Sequence, residues 1–235
     1  MLVEKYEKYT TVIVTAFFPN TNNNRSVETY LNYGKLLLEN NIPKIVFSTK
    51  EIINELPKNE FTHYVNYNLK FPSHECKLPQ NRNIEKDTQN YLFLMNQKTL
   101  FINHAITLNI FPDILQYLWV DFGIGHVCKK ENVSFYLENM VRQKYDQVRI
   151  AHIWSLKNIV CDFENIQWYF AGGVFGGHRN SLLLFHKYAS EIFQKMLTSG
   201  KLVWEVNVWA QVFKEHLEIF NPYISDHNDT ILSNY

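Results

Sequence analysis

Thr11-Val12-Ile13-Val14-Thr15-Ala16-Phe17-Phe18 decides the fold. It is a continuous apolar, β-branched run that stops at the loop-forming Pro19-Asn-Thr-Asn-Asn-Asn24. A short strand with no polar alternation has to be buried on both faces, which is the habit of a parallel sheet. Residues Ser26 to Asn40 then change period. Val27, Tyr30, Leu31, Gly34, Leu37 and Leu38 recur at helical spacing, and Ser26 is placed to cap the helix. Pro43 ends that stretch, and Lys44-Ile-Val-Phe-Ser48 reads as a second strand. Strand, loop, helix and strand at this spacing make a βαβ unit.

Beyond it, Lys50 to Leu56 predicts a short helix, Phe61 to Leu69 a third, alternating strand, and Phe71 to Asn83 a loop. Residues Asp87 to Asn109 predict one long helix. Tyr117-Leu-Trp-Val120 predicts a buried strand that delivers Asp121 to its C-terminal end. Val133 to Arg142 reads as helix and Gln147 to Trp154 as strand. The glycine-rich stretch Trp168 to Gly177 leads to an amphipathic helix from Asn180 to Ser199, closed by Gly200. Trp204 to Glu215 is a further helix, and Asn221 to Tyr235 an irregular tail. The pattern predicts an α/β fold, with a mixed, mainly parallel sheet flanked by helices. With 235 residues, 46% of them hydrophobic, and no break in composition, one domain over residues 1–235 is expected.

Composition narrows the function. Lys and Arg number 23 against 23 Asp and Glu, so no long-range attraction to nucleic acid is expected. Three scattered cysteines, Cys76, Cys128 and Cys161, form no Cys-x-x-Cys pair and suit a reducing compartment. The charged start at Met1 is unlike a secretory signal, and no apolar run is long enough to span a bilayer. A cytoplasmic location and no transmembrane segment are the expectation. There is no Gly-x-Ser-x-Gly elbow, no Walker loop, and no His-x-x-x-His pair among the nine histidines.

Four places could carry chemistry. Asp121, just past a buried strand, sits where open α/β sheets bind ligands, and a carboxylate there could hold Mg²⁺ or Mn²⁺. The competing reading is a turn-capping Asp before Gly123 and Gly125. Gly172, Gly173, Gly176 and Gly177 would let the backbone approach a ligand, or serve a tight strand-turn-helix connection. In Trp204-Glu205-Val206-Asn207-Val208-Trp209, burial of Glu205 would raise its pKa toward proton-transfer work. The alternative is an exposed glutamate favoured by the helix dipole. Asp226, His227 and Asp229 offer a late metal or phosphate ligand, or a solvated tail.

The order of these features is more informative than any one of them. Val12 to Phe17, Arg25 and Tyr30 precede Lys86-Asp87-Thr88, Tyr91 and Met95-Asn96-Gln97-Lys98. Then follow Leu118-Trp119-Val120-Asp121-Phe122-Gly123-Ile124, Ala171 to Gly177, and an acidic residue about one helix later. This succession resembles the HtrL/YibB family of candidate bacterial glycosyltransferases, over almost the whole chain, and more distantly the GT-A glycosyltransferases. The resemblance implies transfer of a sugar from a nucleotide-diphosphate donor, a UDP-sugar, to a glycan acceptor. It implies Thr15, Ala16 and Phe17 against base and ribose, with Arg25 and Lys98 toward the diphosphate or in structural pairs with acids. It puts Asp121 and Gly123 at the donor, Asp121 and His227 on a divalent cation, and Glu205 as the catalytic base. It puts Gly172, Gly173, Gly176, Gly177, Trp204 and Asn207 at the donor sugar and acceptor. One departure stands out: Gly123 occupies the place of the second carboxylate of Asp-x-Asp, so cation binding is an open point. A binding domain without catalysis and a nucleotidyltransferase are the alternatives, the latter disfavoured by a first loop that has no glycine.

Overall fold

A computed structural model of the chain describes residues 9–19 and 25–235. The expected start at Met1 and most of the loop Pro19 to Asn24 lie outside the described residues. Among the described residues, seven strands form one sheet in the order β3-β2-β1-β4-β6-β5-β7. They are β1 (Thr11–Phe17), β2 (Lys44–Ser48), β3 (Thr62–Asn66), β4 (Gln116–Val120), β5 (Val148–His152), β6 (Phe170–His178) and β7 (Phe220–Ile224). Strand β6 runs antiparallel to β4 and β5, and every other pairing is parallel. The α/β class with a mixed, mainly parallel sheet is therefore as the sequence pattern predicts.

The apolar strands are buried on both faces for the reason their composition gives. Val12, Val14, Tyr117 and Trp119 enter one core, with Phe101, Phe185 and Trp209 from the helices α4 (Lys98–Leu108), α6 (Arg179–Thr198) and α7 (Glu205–Glu215). Ile13, Leu118 and Val120 enter the other. There they meet Leu37 of α1 (Val27–Leu38), Leu137 of α5 (Lys130–Met140) and Ile231 of α8 (Thr230–Ser233). The described residues also form two short α-helices, α2 (Lys50–Glu55) and α3 (Gln89–Met95).

Topology positions the site. The chain steps outward from β1 to β2 to β3, then returns so that β4 lies on the other side of β1. The direction of winding reverses between β1 and β4. Their C-terminal ends therefore border the crevice in which open α/β sheets hold ligands.

Three expectations are corrected. The long helix from Asp87 to Asn109 is two, α3 and α4. Asn96 ends α3, and its Nδ2 donates to Val203 O at 2.8 Å, so a distant contact overrides the helical period. The glycine-rich stretch is no turn: it is β6, an interior strand. The tail from Asn221 is regular over β7 and α8. Pro222 is tolerated because β7 is at the sheet edge.

Lys44 is wholly buried at the start of β2, and its Nζ donates to Asn40 O at 2.7 Å. Burial lowers its pKa to about 7. A depressed folded pKa means that the unfolded chain binds the extra proton, so stability rises from about pH 7 toward the free lysine range. Between pH 7 and 9 the wild type is expected to gain about 2–3 kcal/mol relative to Lys44→Met. Urea midpoints at the two pH values measure this. Parallel pH curves for the two proteins would refute it.

Candidate functional site

Asp121 directly follows β4, and its backbone N–H donates to Gly173 O at 2.8 Å across the β4–β6 border. Its Oδ1 accepts from the Trp119 indole at 2.7 Å. Lys98, at the first turn of α4, reaches back to it: Nζ lies 3.0 Å from Oδ1 and 3.1 Å from Oδ2. The same ammonium donates to Gly172 O at 2.9 Å and lies 2.8 Å from Glu205 Oε1. One buried cation thus joins β4, β6, α4 and α7.

The environment of the three charges differs sharply. The side chains of Lys98 and Glu205 are 3% and 1% exposed, whereas Asp121 keeps 30% open to solvent. Burial alone would lower the Lys98 pKa, but the Asp121 and Glu205 carboxylates hold it above its ordinary value, so it stays charged. Burial pushes the Glu205 carboxyl up, and Lys98 pulls against it. Glu205 Oε2 has no hydrogen-bond partner among the described residues. A Cβ on Gly172 would collide with Glu205 Oε1 and come within 3.2 Å of Lys98 Nζ, so the glycine leaves room for this buried ion pair.

Asp121 opens onto a cleft at the ends of β1 and β4. Phe17 stacks on Phe122 at 4.8 Å between centroids, with Tyr30 5.7 Å from Phe17. All three line the cleft, as do Ala16, Tyr91, Lys98 and Gly123. Arg25, Lys86 and His126 line it too. The Lys86 ammonium lies 4.9 Å from the Trp204 ring and 5.5 Å from the Tyr91 ring. Burial lowers the Lys86 pKa; Asp87 pulls it up and Arg25 pushes it down. His126 Nδ1 sits 2.5 Å from Gly123 O. A carbonyl only accepts, so Nδ1 carries the proton and Nε2 is left as an acceptor.

The structure gathers Ala16, Phe17, Arg25, Lys98, Asp121 and Gly123 around one cleft, with Gly172, Gly173 and Glu205 packed about the Asp121–Lys98 pair. It places the other expected residues elsewhere. Thr15 is wholly buried in β1 and is not on the cleft wall. Glu205 is buried at the first turn of α7, not exposed there, and does not line the cleft either. Gly176 and Gly177 pair with Leu118 and Tyr117 toward the opposite end of the sheet. Gly177 has φ +145°, and a Cβ on it would collide with Gln147 O, so its glycine answers to backbone packing. Asn207 is buried and ties down the 162–167 loop, donating to Asp162 O and Asn165 O and accepting from Gln167 N. Trp204 is buried behind Lys86, and Trp168 packs against it. His227 is exposed, edge-on to Trp168 at 5.1 Å. Among the described residues, no group of three or more His, Cys, Asp or Glu could hold a metal ion. No described helix is long and apolar enough to cross a membrane.

Sequence reasoning missed Lys86, His126, Tyr30 and Tyr91 as site residues. The signal for two of them was Lys86-Asp87-Thr88 just ahead of α3, where Thr88 caps the helix by accepting from Tyr91 N. His126 offered none, because its role depends on the turn after Asp121.

No protein-family model matches the chain, and no curated protein matches its sequence. Among solved structures it is similar to a glycosyltransferase involved in the glycosylation of the major capsid of PBCV-1. That match has a TM-score of 0.45 and 13% identity, and covers 92% of this chain and 81% of that one. It is also similar to the 4-diphosphocytidyl-2C-methyl-D-erythritol synthase of Anaerococcus prevotii. There the TM-score is 0.45 at 12% identity, over 93% of this chain and 88% of that one. Likenesses this distant concern the path of the chain and carry nothing about its residues or their chemistry.

Proposed function

We propose that this chain is a GT-A-like glycosyltransferase of HtrL/YibB type, a single domain over residues 1–235. It moves a sugar from a UDP-sugar to a hydroxyl of a glycan acceptor. The observation that carries this reading is the position of Asp121. It lies at the reversal point of the sheet, partly open to a cleft that has stacked aromatic rings along one part and Arg25 and Lys86 along another. Rings suit a base, cations a diphosphate, and a partly free carboxylate the hydroxyls of a sugar.

Glycosyl transfer develops positive charge on the sugar and negative charge on the departing diphosphate. Arg25 and Lys86 stabilise the second. Asp121, held by Lys98 and the Trp119 indole, orients the donor sugar. Glu205 is fixed behind Lys98, so in this reading it positions that lysine. The proton of the acceptor hydroxyl goes to His126 Nε2. Burial sets the His126 pKa below its ordinary value; the Gly123 carbonyl and Asp121 oppose that, while Arg25 and Lys86 reinforce it. The base form is therefore present at pH 7. Turnover should hold a plateau around neutral pH and fall on the acid side. His126→Gln should cut it by roughly 10²–10⁴-fold and abolish that acid limb, with nucleotide affinity unchanged. An intact rate in the variant would remove His126 as the base.

The direct test is a thermal-shift panel of nucleotides and nucleotide sugars, followed by transfer assays with the best ligand. Ligands that bind the folded state raise the melting temperature by mass action. No shift with any nucleotide overturns the proposal. Binding without turnover favours the alternative, a nucleotide-binding domain. A specific observation supports keeping that alternative: Asp121 is the sole carboxylate among the described residues that line the cleft.

A further inference from the structure

We infer that the cleft neutralises a nucleoside diphosphate with Arg25 and Lys86, and not with a divalent cation. This rests on the reading of the cleft as a nucleotide-diphosphate site.

The donor set of Asp121 does not fit a metal. Both of its oxygens already face the Lys98 ammonium, and Oδ1 also accepts from the Trp119 indole. A cation bound to either oxygen would stand close to a buried, permanently charged ammonium, and the two would repel across a poorly screened medium. The carboxylate that could offset this, Glu205, lies on the protein side of Lys98 and off the cleft wall. Gly123 supplies no ligand where a second carboxylate would stand. His227, the other expected ligand, belongs to no cluster of metal-binding side chains among the described residues.

The positive charge that a diphosphate needs is present in another form. Arg25 and Lys86 both line the cleft, and among the described residues neither makes an ion pair. Each is seated on aromatic faces. Lys86 lies against Trp204 and Tyr91, and Arg25 lies 5.8 Å from the Tyr33 ring. Ring faces hold a cation in place without using its N–H groups, which stay free for an anion. Arg25 and Lys86 repel one another across this wall, and Asp87, which attracts Lys86, makes no ion pair with it among the described residues, so an anion entering the cleft meets two unpaired cations. A diphosphate carries the charge and the acceptor oxygens to engage both. Lys98 is not a third such group, because its protons are spent on Asp121, Gly172 and Glu205.

The test is UDP binding by calorimetry to the full chain, once with excess EDTA and once with MnCl₂. The expected result is the same affinity within about twofold, weakening as salt is raised. Lys86→Gln and Arg25→Gln should each lower UDP affinity about tenfold or more, the loss of a charge-assisted contact. Uridine, which lacks phosphate, should bind all proteins alike, and circular dichroism should be unchanged. Lys86→Arg should restore much of the affinity. UDP binding that requires Mn²⁺ would overturn this inference and leave the proposed function standing. Unchanged UDP affinity in Lys86→Gln and Arg25→Gln would also overturn it. No binding of UDP, GDP or ADP under either condition would overturn both.

Discussion

Lys98→Met is expected to destabilise the protein by about 3–5 kcal/mol at pH 8, the usual cost of leaving a buried charge without its partner. The charge at stake is Glu205, which is 1% exposed and whose counter-ion among the described residues is Lys98 Nζ alone, 2.8 Å from Oε1. Asp121 suffers less, because it keeps the Trp119 indole and some solvent. The cost should depend on pH. Burial already raises the Glu205 pKa, and in the variant the opposing pull of Lys98 is gone, leaving only a backbone hydrogen bond at Glu205 against it. A group whose folded pKa is raised is favourable below its unfolded pKa and loses that stability as pH rises through the folded value. The deficit of the variant should therefore shrink toward pH 5 and grow toward pH 8. Adding Glu205→Gln removes the charge and should return most of the loss. Urea unfolding of the single and double variants measures both effects. A deficit under about 1 kcal/mol, or one that ignores pH, would show that Lys98 is not the counter-charge of a buried carboxylate.

Asp121→Asn should reduce sugar transfer by at least about 10²-fold while leaving the fold in place, the scale seen when one preorganised electrostatic contact is removed from a reacting centre. The substitution keeps the shape and changes the chemistry. An amide has one acceptor oxygen, yet the site presents two donors, the Trp119 indole and the Lys98 ammonium. Whichever way the amide turns, its NH₂ group meets a donor. Lys98 loses one of its two counter-ions, and the open edge of the carboxylate no longer accepts from a donor sugar. Far-UV circular dichroism should match the wild type. Full transfer activity would sink the proposed site, and loss of the fold would show that the pair with Lys98 serves stability first.

Much of this fold is legible in the chain. Val12 to Phe17 and Tyr117 to Val120 carry no polar alternation, so they had to lie inside a sheet covered on both sides. Helix α6 ends at Gly200, whose φ of +72° suits glycine, as its place after the amphipathic run predicts. Asp121 at the end of β4 follows from the same local reasoning. The aromatic edge of the cleft is partly readable too, because Phe17 closes an apolar strand and Phe122 follows Asp121.

What local pattern could not reach was decided by distant contacts. Four glycines in seven residues allow either a close backbone approach to a ligand or a tight turn. They form a strand because β4 and β5 supply hydrogen-bonding partners on both sides of β6. The helix expected from Asp87 to Asn109 breaks because Asn96 finds Val203, 107 residues away. Glu205 at a helix start reads equally well as an exposed residue. It is buried because Lys98, from another helix, brings the charge that makes burial tolerable. Periodicity and composition thus determined where the strands lie and that Asp121 would stand at a strand end. Only the tertiary structure decided that Lys98 occupies both carboxylates and that Arg25 and Lys86 are the charges left facing the cleft. Pairing of buried charges is settled by which side chains meet in space, and spacing along the chain does not encode that.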